Sequence, residues 1–227
     1  MLKRYTRFVL KIISGEFRTR QLFTPPGEDR TRPMTARVKE SVFAMLHGWF
    51  NGARVLDLFA GVGTVGLECL SRGAVEVVMV ERDREVFRYL EHNIASLNVA
   101  DRVTALQGDA LGPTALARSP KPVDLVFMDP PYALMTDPAT RALVLGQAAR
   151  TRSLFADKGF LILRTPIDLV EPERTIPGFR GPESHRYKDD MWVYLYMPDE
   201  SSDVAHDITH ATDASDGSSD SAGTDDA

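Results

Sequence analysis

One apolar run of this chain ends abruptly in an acid, two prolines and an aromatic residue, Asp129-Pro130-Pro131-Tyr132. Neither proline can donate a backbone hydrogen bond, so the strand that starts at Val123 must stop at Met128. Its end then offers a carboxylate, backbone carbonyls outside the sheet and a flat ring. These groups suit a planar molecule with an NH2 group, such as a nucleobase, because the ring can stack on it and the oxygens can accept its hydrogens. Taken alone, the motif is explained equally well as a turn that follows a strand.

A second stretch, Arg54 to Gly66, has the order of a strand, a glycine turn and the start of a helix. Gly61, Gly63 and Gly66 match G-x-G-x-x-G, and Glu81 ends the next strand 20 residues after Gly61. This spacing is the fingerprint of a dinucleotide site, in which the acid binds a ribose diol. A nicotinamide-dependent oxidoreductase is therefore one interpretation.

Asp57, at the end of the first of these strands, favours a different ligand. A dinucleotide places its pyrophosphate at the helix N-terminus, where a neighbouring carboxylate would repel it. A cation would be attracted, since opposite unit charges about 4 Å apart gain roughly 4 kcal/mol at an effective dielectric near 20. S-adenosylmethionine carries a sulfonium and an ammonium and no phosphate. The D-x-F-x-G-x-G pattern therefore favours this cofactor, with a plain strand, turn and helix as the alternative.

Acids follow four successive predicted strands, at the rim where open α/β sheets bind ligands. Glu81 is expected to hold the ribose diol, and Asp109 to accept from the adenine amino group, although a helix N-cap explains Asp109 equally well. The predicted cofactor contacts are Asp57, Phe59, Ala60, Gly61, Gly63, Thr64, Glu81, Arg82, Asp109, Ala110 and Asp129. The predicted catalytic residues are Asp129, Pro130, Pro131 and Tyr132.

Strand-like and helical segments alternate along the chain and predict the elements that position these residues. The predicted strands are Arg54–Leu58, Val75–Val80, Val103–Leu106, Val123–Met128 and Phe160–Leu163. The predicted helices are Ala36–His47 with Thr35 as N-cap, Val65–Ser71, Asp83–Leu97, Pro113–Arg118 and Pro138–Arg150. Two last strands, Ser184–Tyr187 and Met191–Met197, form an antiparallel hairpin. The pattern predicts a Rossmann-like α/β fold of the class I methyltransferase type, with a mostly parallel seven-stranded sheet.

Basic charge is concentrated at the N-terminus, where residues 8–24 are predicted to form a small separate β-hairpin. Residues 1–54 hold 11 Lys/Arg against 4 Asp/Glu, although the whole chain has a net charge of -5. A polyanion-binding surface needs such a concentration, and an ordinary solvated basic face is the alternative. The candidate phosphate contacts are Arg18, Arg20, Arg32, Arg37 and Lys39.

The sequence divides into a basic extension (1–34), a catalytic domain (35–198) and a tail (199–227). The tail holds nine Asp/Glu, no Lys/Arg and almost no large apolar side chains, which predicts a disordered acidic segment. The single cysteine, Cys69, excludes an internal disulfide and fits a cytoplasmic protein. No apolar run reaches the about 18 residues of a membrane span, no signal peptide is evident, and no His/Cys cluster indicates a metal site.

Three stretches resemble the bacterial 16S rRNA guanine-N2 methyltransferases, the small-subunit rRNA methyltransferase D family. They are residues 12–18, residues 32–43 and residues 129–132, and the likeness extends from about Phe8 to Met197. The first two are more specific to the family than the glycine turn is. The resemblance implies S-adenosylmethionine as methyl donor and a guanine N2 amine of small-subunit rRNA as acceptor. It also implies the small ribosomal subunit or its assembly intermediate as partner. For the oligomeric state, a monomer is the default expectation.

Three alternatives remain open beside this resemblance. An N6-adenine nucleic-acid methyltransferase would use the same acid-Pro-Pro-aromatic chemistry, although no segment is large enough for a target-recognition domain. A protein-glutamine methyltransferase would be expected to have Asn in place of Asp129. A non-catalytic RNA-binding assembly factor would not need the intact set of Asp57, Glu81 and Asp129.

Overall fold

The computed structural model describes residues 10–26, 36–188 and 191–200. The strands are β1 (Leu10–Lys11), β2 (Gln21–Leu22), β3 (Arg54–Asp57), β4 (Glu76–Glu81), β5 (Val103–Gln107), β6 (Val123–Met128), β7 (Phe155–Thr165), β8 (Phe179–Tyr187) and β9 (Met191–Pro198). The helices are α1 (Ala36–Met45), α2 (Gly66–Ser71), α3 (Arg84–Leu97), α4 (Pro113–Ala117), α5 (Tyr132–Thr136) and α6 (Pro138–Arg150). A 3-10 turn, Thr151–Leu154, follows α6.

Seven strands form the central sheet in the order β5-β4-β3-β6-β7-β9-β8. The first five are parallel, and β9 runs antiparallel between β7 and β8. The predicted fold class is therefore confirmed. The parallel strands are nearly continuous apolar runs because helices cover both faces of the sheet.

Successive residues of one strand face opposite layers of the core. Val55 and Val77 pack with α1, α2 and α3 on one face, and their neighbours Leu56 and Val78 pack with α4, α5 and α6 on the other. Local signals set the helix ends: the Asp83 carboxylate caps α3 by accepting from the N–H groups of Glu85 and Val86. Such caps fix where the helices meet the strand ends and so shape the rim of the sheet.

Several element boundaries differ from the predictions. β7 is 11 residues long instead of the four predicted, and α5, directly after the two prolines, was not predicted. The N-terminal hairpin is confirmed, but its strands have two residues each. Phe8, which was predicted to begin this hairpin, and the predicted N-cap Thr35 lie outside the described residues.

The N-terminal hairpin is fastened to α2 by buried polar contacts. The carboxylate of Glu68 accepts from the backbone N–H groups of Ile13 and Ser14, at 2.7 and 3.0 Å. The hydroxyl of Ser71 donates to the carbonyl of Ser14. Gly15, at φ +84°, fits against α2 because a Cβ there would lie 1.7 Å from the carbonyl oxygen of Ser71. The hairpin is therefore held in one place on the domain.

Candidate active site

A cleft of about 640 Å³ opens at the carboxyl ends of the central strands. Its volume lies in the range of small-molecule sites. β3 pairs with β4 on one side and with β6 on the other, so the strand order of the sheet reverses at β3. Open α/β sheets bind ligands in the crevice at such a point. The lining includes most of the predicted site: Phe59, Ala60, Gly61, Thr64, Glu81, Arg82, Asp109, Ala110, Asp129, Pro130, Pro131 and Tyr132.

Glu81 is fixed at the end of β4 by backbone donors from both sides. Its carboxylate accepts from the N–H of Gly61 at 3.0 Å and from the N–H of Asp83 at 2.6 Å. Burial raises the pKa of Glu81, and these two hydrogen bonds oppose the rise. The side chain therefore ties the glycine turn to the start of α3 while it lines the cleft.

Asp57 lies beneath the glycine turn, and it is not among the residues that line the cleft. Its side chain is buried and accepts from the N–H of Gly66 at 3.0 Å. Burial raises the pKa of Asp57 to about 7; the Gly66 hydrogen bond opposes this, and the carboxylates of Asp129 and Glu81 add to it. The predicted direct contact with a cofactor is corrected: the chain folds its first helical turn over this carboxylate, which supports the loop from below.

Gly63 is a second correction, because it too lies behind the wall of the cleft. Its φ of +90° belongs to the left-handed region that favours glycine. A Cβ at this position would lie 2.7 Å from Cδ1 of Leu90 on α3. Gly63 therefore allows the turn to pack on α3, whereas Gly61 faces the cleft.

Asp109 follows β5, is exposed and lines the cleft. Its carboxylate accepts from the N–H of Leu111 at 3.0 Å. The N-cap of α4 is Gly112, so the alternative interpretation of Asp109 as a helix cap is wrong. Its carboxylate therefore adds a hydrogen-bond acceptor to the lining of the cleft, next to the buried Ala110.

Asp129, Pro130 and Pro131 leave the end of β6 and lead directly into α5, where Tyr132 is the first residue. The strand ends at Met128, as predicted. Burial raises the pKa of Asp129, and the charge and hydrogen bond of Arg164 lower it. The motif therefore presents a carboxylate and an aromatic ring to the same cleft that Glu81 and Asp109 line.

Arg164 is the main cleft residue that the sequence analysis missed. It is the next-to-last residue of β7, and its Nε donates to Oδ1 of Asp129. The guanidinium carbon also lies 5.4 Å from the centre of the Tyr132 ring. A charged residue that follows the apolar run Leu161–Leu163 was a usable signal, but the predicted strand stopped one residue before it. The other unpredicted lining residues are Leu58, Val62, Val65, Val80, Asp83, Val86, Leu111, Ala133 and Leu134.

The predicted phosphate contacts occupy different environments. Arg18, Arg20 and Arg37 are exposed, and Arg20 donates to the carbonyl of Ser96 at 2.8 Å. Arg32 lies outside the described residues.

The prediction for Lys39 is wrong, because this side chain is buried. Its Nζ lies 3.2 Å from the Glu68 carboxylate and donates to the carbonyls of Lys11 and Thr64. Burial lowers the pKa of Lys39, and the charge of Glu68 opposes this. Lys39 shares the inner face of α1 with Val42 and Phe43, at the spacing of three and four residues that marks one helix face. It is a structural cation rather than an RNA contact.

The helices in the described ranges lack the combination of length and apolar character that a membrane span requires. Within the same ranges, no three His, Cys, Asp or Glu side chains are grouped so that they could hold a metal ion.

Comparisons with known proteins agree with this geometry. Ribosomal RNA small subunit methyltransferase D of Escherichia coli is 39% identical over 125 residues, which are 54% of this chain and 60% of that protein. The solved structure of the Escherichia coli protein yhhF has a TM-score of 0.68 and 29% identity, and the match covers 83% of this chain and 97% of that one. A hypothetical protein of Thermus thermophilus has a TM-score of 0.63 and 31% identity, with coverage of 82% and 98%.

The sequence alignment thus spans less than two thirds of the Escherichia coli relative, whereas the folds match over nearly the whole length of the solved structures. The family model described as conserved hypothetical protein 95 matches residues 10–180. With a class I methyltransferase fold and the acid-Pro-Pro-aromatic motif at its cleft, this chain belongs to the family described as conserved hypothetical protein 95 and is a methyltransferase of the small-subunit rRNA methyltransferase D type.

Proposed function

We propose that this protein transfers a methyl group from S-adenosylmethionine to the exocyclic N2 amine of a guanine in 16S rRNA. The observation that carries the proposal is the shared cleft: Asp129 and Tyr132 face the same space as the acids that follow β4 and β5. The relative named as a small-subunit rRNA methyltransferase supports the choice of RNA. The small ribosomal subunit or its assembly intermediate as partner, a monomeric state and a cytoplasmic location belong to the same proposal.

The residues on one side of the cleft fit S-adenosylmethionine. Glu81 is a fixed carboxylate that can accept from both hydroxyls of a ribose, and Asp109 can accept from an adenine amino group. Val86 and Leu111 supply apolar walls for the adenine ring. When bound, the cofactor supplies an electrophilic methyl group on a sulfonium. Asp57 contributes from beneath by holding the glycine turn, through its bond to Gly66, in the shape that forms this side.

The residues on the other side fit an exocyclic amine. The lone pair of the guanine N2 is delocalised into its ring, so the site must favour a pyramidal nitrogen. Asp129 and the carbonyl of Pro130 can accept the two N2 hydrogens, and Tyr132 can stack on the base. Most of the rate then comes from positioning and electrostatics. As the amine gains positive charge, Asp129 stabilises it and can accept its proton, directly or through water.

A base in a helix or stacked loop cannot reach such a cleft, so the target guanine must leave its stack. The exposed Arg18, Arg20 and Arg37 are suited to hold the surrounding phosphates, which position the RNA without reading its sequence. Arg32 belongs to the same proposed set.

The experiment is methylation of ribosomal RNA from a strain that lacks the gene. The purified protein and S-adenosylmethionine should restore one guanine methyl group, and nucleoside mass spectrometry should identify it as N2-methylguanosine. The Asp129→Asn variant serves as the inactive control. Appearance of N6-methyladenosine would replace the proposal with an adenine-directed enzyme. Absence of any transfer to naked RNA, partial particles and mature subunits would reject it.

A further inference from the structure

Arg164 occupies a place that the acid-Pro-Pro-aromatic chemistry by itself does not require. Met128 of β6 pairs with Leu163 of β7, so the next residues of the two parallel strands, Asp129 and Arg164, lie side by side at the rim. Both residues line the cleft. Their side chains are only 13% and 5% exposed. The pair is therefore largely shielded from water and yet faces the ligand space.

The guanidinium of Arg164 contacts other groups beside its carboxylate partner, Asp129. Its central carbon lies 5.4 Å from the centre of the Tyr132 ring, a cation–π distance. Its Nη1 donates toward Sδ of Met191 at 3.8 Å, where β9 begins. One side chain thus connects the carboxylate proposed to accept the amine, the ring proposed to stack on the base, and the neighbouring strand.

The electrostatic consequence follows from burial. A carboxylate removed from water tends to take up a proton and become neutral, and a nearby guanidinium opposes this. For Asp129, burial raises the pKa and Arg164 lowers it. The negative charge of Asp129 in turn helps to raise the pKa of Asp57, the buried acid beneath the glycine turn. Tyr132 is another titratable group beside the pair. A protonated Asp129 would carry an O–H that could neither take a proton nor accept fully from an amine.

We propose that Arg164 is a positioning residue that holds Asp129 as an ionised acceptor, with its carboxylate turned toward the amine of the target base. The inference rests on the proposed function for the identity of that amine. Arginine suits the task better than lysine, because its planar fork can donate from Nε to the carboxylate while the same plane lies over an aromatic ring. Arg164 itself needs no contact with the methyl group.

The test compares the pH dependence of kcat/KM for the wild type, Arg164→Lys and Arg164→Met. Ionised Asp129 is required, so activity falls as pH drops through its pKa, and loss of the guanidinium raises that pKa. The acid limb should move to higher pH by about 1–3 units in Arg164→Met. Arg164→Lys keeps the charge and should move it less. Arg164→Gln replaces Arg164→Met if the latter does not fold.

A matched control is available in Arg141, which also has a poorly exposed guanidinium. Its Nε lies 2.9 Å from the carboxylate of Glu173, and neither residue lines the cleft. Arg141→Met should leave the acid limb where it is in the wild type. A second readout needs no turnover: the Asp129 carboxyl carbon is titrated by 13C NMR in the cofactor-free protein, with Asp129→Asn used to assign the signal. Its midpoint should rise in Arg164→Met by a similar amount.

Coincident acid limbs and coincident Asp129 titrations in wild type and Arg164→Met would overturn the inference. So would faster turnover in Arg164→Met, which would make the pair an inhibitory contact. A wild-type protein that methylates no guanine N2 would instead reject the proposed function. The NMR titration would then still show whether Arg164 holds Asp129 ionised.

Discussion

Two buried ion pairs of this molecule differ in what surrounds them: Lys39 with Glu68 beneath the hairpin, and Arg164 with Asp129 at the cleft. Glu68 is fully buried and also accepts from Arg72 and from two backbone N–H groups of the hairpin. Asp129 retains some exposure and lines the cleft beside its partner. The first carboxylate is saturated by the protein, and the second faces a ligand.

The difference teaches how to separate a structural buried charge from a chemical one. Around Glu68, the donors come from α1, from the N-terminal hairpin and from the end of α2 itself, so removal of the carboxylate loosens several elements at once. Around Asp129, the donor is a side chain on a neighbouring strand, and the remaining acceptor capacity points to open space. Replacement of Glu68 should therefore mainly lower stability, and replacement of Asp129 should mainly lower turnover.

Asp129→Asn should have the largest effect on activity. The amide keeps the shape but loses the charge that stabilises the amine and the site that takes its proton, so turnover should fall by about 10²–10⁴-fold. The unfolding free energy should fall by less than in Glu68→Gln. The amide oxygen at position 129 can still accept from Nε of Arg164, whereas donors surround both carboxylate oxygens of Glu68. Single-turnover methylation assays and urea unfolding check both expectations. Unaltered turnover would contradict the assignment of Asp129.

Glu68→Gln should have the largest effect on stability. The change leaves Lys39 buried without its counter-charge, and breaking a buried pair in this way costs about 3–5 kcal/mol. Urea unfolding measures the loss. The control is Glu76→Gln, which breaks the exposed pair with Arg54 (side chains 49% and 43% exposed) and should cost at most about 1 kcal/mol. Equal losses in the two variants would remove the distinction between the pairs.

The sequence was sufficient where the signal is local. The proline pair ends β6 by removing donors, and the glycine turn and the acids after β4, β5 and β6 follow from strand ends that can be read directly. Lys39 was misplaced because its counter-charge, Glu68, lies on a different helix and only the fold brings them together. Arg164 was missed because the predicted strand stopped at Leu163. Its pairing with Asp129 depends in addition on the register between β6 and β7, which no local pattern contains.

Asp57 sharpens the comparison because it is buried like Glu68 but interacts with the rim acids Glu81 and Asp129. Its pKa is raised from 3.8 to about 7, so the folded protein keeps a proton that the unfolded chain releases between these values. Stability should therefore fall as pH rises from about 4 to 7, relative to Asp57→Asn, by up to a few kcal/mol. Urea unfolding at several pH values tests this, and parallel curves for the two proteins would contradict it.

The same position separates charge from support in cofactor binding. Asp57→Asn keeps an acceptor for the N–H of Gly66, whereas Asp57→Ala removes it. If Asp57 acts by holding the glycine turn, calorimetry should show weaker S-adenosylmethionine binding for the alanine variant and near-normal binding for the asparagine variant. Equal weakening of both would restore a direct electrostatic role for the carboxylate.

The smallest effect is expected when charge is removed from the hairpin that Glu68 anchors. It is a change in the salt dependence of RNA binding. Arg18 and Arg20 are exposed on this hairpin. Replacing both with Gln should weaken RNA binding and reduce the slope of log affinity against log salt by about 0.7–0.9 for each phosphate that is no longer neutralised. Filter binding over a series of salt concentrations measures the slope.

The matched control removes the same charge elsewhere: Arg118 and Lys121 are exposed and precede β6, at the opposite end of this strand from Asp129. Their double Gln variant should leave the slope close to that of the wild type. An unchanged slope in the Arg18 and Arg20 variant would mean that Glu68 fastens the hairpin for the sake of the fold alone. A reduced slope only in that variant would mean that the hairpin contacts RNA. The pair of Lys39 and Glu68 would then also support the reaction, because it fixes the surface that delivers RNA to Asp129.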